Sequence, residues 1–181
     1  MSEDRFSFLV SSLRFDDRDT REERRQTDNF AVIRKIWDIF IVNCSKMCVP
    51  HENLTVNEQL LAFHGNCPFR MYIHSKPGKY GMKLVLVNVN SNKYMLGGIP
   101  YLGKQGTRPW AGVALGHQLA KDLTTPSHHT NRNVTTDIWF TSVPLATDLL
   151  MNCSMTHVGT VRVNKTEIPW EMKDTTNQRP G

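Results

Sequence analysis

From position 54 the hydrophobic pattern settles into alternation: Leu54, Val56, Glu58, Leu60 and Ala62 fall on one face, and Thr55, Asn57, Gln59, Leu61 and Phe63 on the other. The pattern predicts a strand that is buried on both sides towards its end. His64-Gly65-Asn66-Cys67-Pro68 breaks it, and Pro77-Gly78 marks a turn before a second strand over 80–89. A third strand over 93–101 and a helix over 112–123 follow, with Leu115, Leu119 and Leu123 as the helix stripe. Residues 132–137 read as a short strand ending in an acid. Thr141 and Ser142 are candidate caps of a helix over 144–151, and 155–163 reads as a further strand. Upstream, Phe30, Ile33, Trp37, Phe40, Ile41 and Cys44 recur at helical spacing within 28–47, and Val32, Ile36 and Ile39 add a second apolar face. Such a helix must be buried, on the core or on a partner; Thr27 or Asp28 is its candidate cap and Pro50 marks its end.

Composition narrows the class. The 181 residues suffice for one domain or one and a half, and a 39% hydrophobic content suits a globular protein. No apolar run approaches the ~18 residues a membrane helix needs, and the acidic start Ser2-Glu3-Asp4 is unlike a secretory signal, so an intracellular protein without a membrane partner is expected. Cys44 and Cys48 lie within a helical pattern, and with Cys67 and Cys153 they complete no zinc set, so free thiols are expected. The polar stretch 173–181 reads as a disordered tail.

Charge is distributed unevenly. Residues 1–50 carry nine Lys/Arg and nine Asp/Glu, so the net excess of +5 lies downstream. Interleaved charges over 16–25 read as a solvated, salt-bridged surface. Between 59 and 121 there are eight Lys/Arg and no Asp or Glu. Arg70, Lys76, Lys79 and Lys83, with Tyr72 and Tyr80 interleaved, suit a DNA phosphate backbone, although composition alone fits a solvated basic sheet face equally well. His117 reads as a helix-surface residue, and His128 and His129 as loop residues rather than ligands. Asp137, an acid after a strand and before a helix, suits either a turn or a metal site.

The stretch LTVNEQLLAFHGNCPFRMYIHSKPGKYGMK resembles the segment that opens the catalytic core of piggyBac-type transposases, which reads TIDEQL or TVDEQL and then FRGRCPFRMYI and KPxKYG. KYMLGGIPYLGK, RNVTTDIWFTSVPLATDLL and HVGTVRVNKTEIP follow in the family's order, and RFSFLVSSLRFDDRDTREERRQTDNFAVIRKIWDIF resembles its helical region upstream. The resemblance runs from about residue 5 to 170. It implies an α/β, RNase H-like mixed sheet flanked by helices and incomplete here: three antiparallel strands, a helix, then further strand and helix units. A helical segment over 1–52, resembling the family's dimerisation and DNA-binding region, would precede a partial core over 53–172.

In that family three aspartates hold two metal ions, Mg(II) by default, that cut and rejoin DNA in the nucleus. Asp137 matches the second aspartate, followed here by Ile138 where the family usually has Asn. Asn57 stands at the first, and the third belongs to a later segment that this chain lacks. Glu58 cannot substitute, because successive strand residues point to opposite faces. The resemblance therefore implies a DNA-associated transposase fragment that has lost cleavage and strand transfer, with Asp137 a vestigial metal ligand and no tightly bound cofactor. The alternatives are a domesticated DNA-binding or oligomerising regulator of a full-length transposase, partnered through 28–47, and an active metal-dependent nuclease.

Overall fold

The structure is a computed structural model describing residues 1–103 and 113–173. Three helices come first: α1 (Glu3–Ser12), α2 (Arg21–Thr27) and α3 (Arg34–Met47). Strands β1 (Asn53–Ala62), β2 (Met71–Tyr72), β3 (Tyr80–Val89) and β4 (Met95–Pro100) follow. The chain continues through α4 (Leu115–Thr124), a 3-10 turn (Thr125–Ser127), β5 (Asn133–Thr136), α5 (Val143–Cys153), β6 (Thr156–Gly159) and α6 (Trp170–Lys173).

The strands form one six-stranded mixed sheet in the order β2-β3-β1-β5-β6, with β4 also on β3. β1, β3 and β4 are antiparallel, whereas β5 and β6 add in parallel. This is the expected mixed α/β core, a helix and then strand and helix units after the antiparallel strands, but with a fourth, two-residue antiparallel strand, β2, in addition to the three expected. The second strand falls on the predicted residues, because Tyr80–Val89 carries apolar side chains to both faces and runs between β1 and β4.

One face of the sheet builds the main core. Leu54 and Val56 of β1, Val85 and Val87 of β3 and Val134 of β5 meet Leu119, Ala120 and Leu123 of α4 and Leu145 and Leu149 of α5. The predicted stripe of α4 is therefore real, with Leu115 packed at its edge; position 112, the expected start, lies outside the described residues. Ser142 caps α5 by accepting a hydrogen bond from the Leu145 N–H at 3.2 Å, and Pro144 occupies its first turn. Asp148 clasps α5 to α4: His117 Nε2 lies 2.9 Å from its carboxylate, and Lys121 and Asn152 donate to it at 2.8 and 2.7 Å. Burial would push this carboxyl up, but the donors Asn152, Lys121 and His117 outweigh it and hold it well below the usual carboxylate range.

Helix α3 covers the opposite face at β4. Gly98 permits the approach, since a Cβ there would come within 2.7 Å of Leu86 and 3.2 Å of the Trp37 ring. Tyr94 Oη ties the strand to the helix by donating to the Cys44 carbonyl at 3.1 Å.

Four features differ from the pattern. The helix expected over 28–47 starts only at Arg34. The Asp28 side chain instead accepts from the Phe30 N–H at 2.9 Å and pairs with Arg34 at 2.7 Å, which holds the intervening residues in turns. β1 is buried at its beginning rather than its end, because α4 and α5 reach only Leu54 and Val56 while Leu61 and Phe63 stay exposed. The last strand is confined to Thr156–Gly159, the length over which β5 offers a partner. Of the expected tail, Lys173 ends the short α6, and 174–181 lie outside the described residues. The charged stretch over 16–25 does form ion pairs, Asp16 with Arg21 and Arg24, and Arg25 with Glu22, but Asp16 is enclosed rather than solvated. All four cysteines are free thiols. Among the described residues no helix is long and apolar enough to cross a membrane.

Candidate functional site

The parallel pairing of β1 with β5 decides which residues meet. Leu54 lies beside Val134 and Val56 beside Thr136, so Asn57 and Asp137 are the residues that follow the last paired position on each strand. Paired strands run about 4.8 Å apart, so the register brings the end of β5 and the middle of β1 to the same level of the sheet. Asn57 is exposed, and its Oδ1 accepts from the Glu58 N–H at 2.7 Å. Asp137 is half-buried in a turn closed by its own chain. Its Oδ1 accepts from the Trp139 N–H at 2.8 Å, and its carbonyl accepts from the Thr141 N–H at 3.0 Å and the Thr141 hydroxyl at 2.7 Å.

A buried polar chain backs this turn. Thr136 Oγ1 lies 2.7 Å from Thr141 Oγ1 and 2.8 Å from His157 Nε2. Burial pushes the His157 imidazole below its ordinary value, which favours the neutral ring. Nothing in the pattern distinguished His157, because its role depends on β6 lying beside β5.

The four predicted DNA-binding residues separate. Lys83 is 7% exposed, with Nζ 2.5 Å from Glu58 Oε2 and 3.9 Å from the centroid of the Trp139 ring. It is an internal cation rather than a phosphate contact, because alternation along β3 puts it on the face of Val85 and Val87. That signal was readable, since a lysine in register with two core valines needs an acid across the strand. Lys76 Nζ is 3.6 Å from the other Glu58 oxygen and is partly neutralised. Arg70 and Lys79 are exposed and make no ion pair among the described residues. Residues 104 and 108 of the basic stretch lie outside the described residues.

Of the three histidines one departs from the pattern. His117 faces α5 and Asp148 rather than solvent; His128, half-buried, and His129, exposed, follow the 3-10 turn as loop residues. Burial, helped by the neighbouring His129, pushes the His128 imidazole down.

A family model described as Transposase IS4 matches residues 1–181. The chain belongs to the Transposase IS4 family. Among solved structures it is similar to a piggyBac transposase, determined by cryo-EM as a synaptic complex with hairpin DNA. The identity is 48% and the TM-score 0.89, and the match covers 99% of this chain and 37% of that one. This transposase chain thus spans well under half the length of the protein it matches.

The catalytic chemistry implied by piggyBac-type transposases needs two divalent cations, and hard cations take anionic oxygens. Here the two matching positions supply one carboxylate, Asp137, and one neutral carboxamide whose oxygen already accepts the Glu58 N–H. Among the described residues no group of three or more His, Cys, Asp or Glu converges. These donors do not fit a two-metal centre.

Proposed function

We propose that this chain is a DNA-associated, nuclear piggyBac-type transposase core that does not cut or rejoin strands. The observation that carries the reading is Asn57: a neutral carboxamide, already accepting the Glu58 N–H, stands where the piggyBac-type motif has its first metal-binding aspartate, while Asp137 keeps the acid of the second. DNA association is supported by the basic β2–β3 turn and by the similar transposase, whose solved complex contains hairpin DNA.

With Lys83 internal and Lys76 shared with Glu58, two or three cations remain for phosphates. Counterion release then predicts that log K falls against log salt with a slope of about −2, near −0.9 per contact. Anisotropy titrations of a labelled duplex at several salt concentrations measure it. Lys79→Glu should flatten the slope, whereas Lys83→Met should leave it unchanged while weakening the fold. A salt-independent affinity would refute electrostatic binding at this turn.

A second reading, association through 28–47, is favoured by one observation. Ile33, Ile36, Ile39, Phe40 and Val42 are all exposed along α3 and its lead-in, an apolar row of a kind that normally marks a contact surface. The protein is expected to scatter light as a dimer or larger species. Ile39→Ser with Phe40→Ser should return it to a monomer; a monomer at all concentrations for the unmodified chain would exclude this surface.

A further inference from the structure

Arg70, Tyr80, Tyr72 and His74 form a continuous row of flat groups on the β2–β3 hairpin. Tyr72 and Tyr80 are register partners, with ring centroids 4.9 Å apart. The Arg70 guanidinium lies over the Tyr80 ring, 5.6 Å from its centroid. It is held there by donating to the carbonyls of His64 and Gly65 at 2.9 and 3.1 Å. At the other end the His74 ring stands 6.4 Å from Tyr72, with Nδ1 3.2 Å from the phenol oxygen.

Cross-strand pairing explains why the two tyrosines touch. It does not explain why Tyr72 stays 53% and Tyr80 45% exposed, or why a guanidinium tethered by two loop carbonyls extends the row. Large rings normally bury most of their area. The surroundings are cationic: no acid occurs between 59 and 121, and the nearest, Glu58, is occupied by Lys76 and Lys83. Lys79, beside Tyr80, adopts φ 47°, a left-handed conformation costly for a residue with a Cβ. The turn holds it there through the Lys79 N–H to the Lys76 carbonyl at 3.0 Å and the Ile73 N–H to the Lys79 carbonyl at 2.7 Å.

Flat groups that present both an apolar face and positive charge suit a ligand that is itself flat and carries an adjoining anion. We propose that this row is a stacking platform for an unpaired nucleobase of DNA, with Arg70 and Lys79 on the neighbouring phosphates. The proposal rests on the DNA-association reading and deepens it. Base-paired DNA keeps its base faces inside its own stack, so the platform selects overhangs, mismatches or extruded bases over continuous duplex. Stacking tolerates any base, so the preference is for unpaired structure rather than for sequence.

The test uses the full chain and two probes, a blunt duplex and the same duplex with a single-stranded overhang carrying the fluorescent adenine analogue 2-aminopurine. Binding should quench the analogue, and the overhang should bind about ten-fold more tightly than the blunt duplex. Tyr72→Leu and Tyr80→Leu should abolish the quenching and reduce overhang affinity to the blunt level, while Tyr72→Phe and Tyr80→Phe retain both. Arg70→Lys keeps the charge but loses the flat surface, so it should weaken quenching and overhang affinity by a larger factor than it weakens blunt-duplex affinity, and it serves if a leucine variant fails to fold. Equal affinity for the two probes, or quenching unchanged in a folded leucine variant, overturns the platform while leaving DNA association standing. Failure to bind either probe at low salt overturns both.

Discussion

Supercoiled DNA incubated with this protein and Mg²⁺ or Mn²⁺ is expected to remain uncut. Phosphoryl transfer by two metal ions depends on carboxylates that hold the ions against a polyanionic substrate. At the β1 position the chain offers Asn57, neutral and already accepting a hydrogen bond from the following N–H at 2.7 Å. Disturbing only a supporting partner of a metal ligand costs about 10- to 100-fold in affinity or activity. Replacing a ligand's charge should cost more, so nicking should fall below detection. Asn57→Asp restores one carboxylate beside Asp137 and is expected to add a Mn²⁺-dependent rise in melting temperature, since a ligand that binds only the folded state stabilises it by mass action. Asn57→Asp with Asp137→Ala should lose that rise. Metal-dependent nicking by the unmodified chain that disappears in Asp137→Ala would overturn the inactive reading outright.

Phe140→Ala is expected to be the most damaging single change to the fold, lowering stability by about 3–5 kcal/mol. In a chain of this size that is a fall in melting temperature on the order of 10 °C. Phe140 is 2% exposed and sits edge-on to Trp139 with centroids 4.6 Å apart. Gly116 of α4 packs directly over it: an added Cβ would lie 2.9 Å from the Trp139 carbonyl oxygen and 3.3 Å from the Phe140 Cα. The void left by truncation is framed by the sheet, α4 and α5, so little of it can collapse. The Phe140 backbone N–H donates to the Asp137 carbonyl at 3.2 Å, a bond alanine keeps, so any effect on the turn that carries Asp137 should come through the lost packing alone. Leu150→Ala, on the exposed side of α5, should stay within about 0.5 kcal/mol. Urea unfolding of the two variants measures the difference, and a cost below about 1 kcal/mol for Phe140→Ala would mean that the ring is not part of the core.

Local rules account for much of this protein. Alternation and turn residues placed β3, the Pro77-Gly78 turn and the Ser142 cap, because each depends on side chains only a few positions away. The stripe Leu115, Leu119 and Leu123 likewise specified its own buried face. The motif order carried the family, which no local pattern could supply.

Tertiary structure decided the rest. Helix α3 begins at Arg34 because Asp28 finds both the Phe30 N–H and the Arg34 guanidinium, a competition between turn and helix that apolar spacing does not register. β1 is buried at its start because α4 and α5 end where they do, and alternation reports only that two faces differ, not which stretch will be covered. Lys83 looked like part of a basic patch when charges were counted along the chain. Folding turned it inward onto Glu58 and Trp139, because the face of a strand residue is set by its register with the core, and charge density along a sequence does not encode facing. His157 became a partner of Thr136 only when β6 paired in parallel with β5, a contact across 21 residues that exists only once the sheet is assembled.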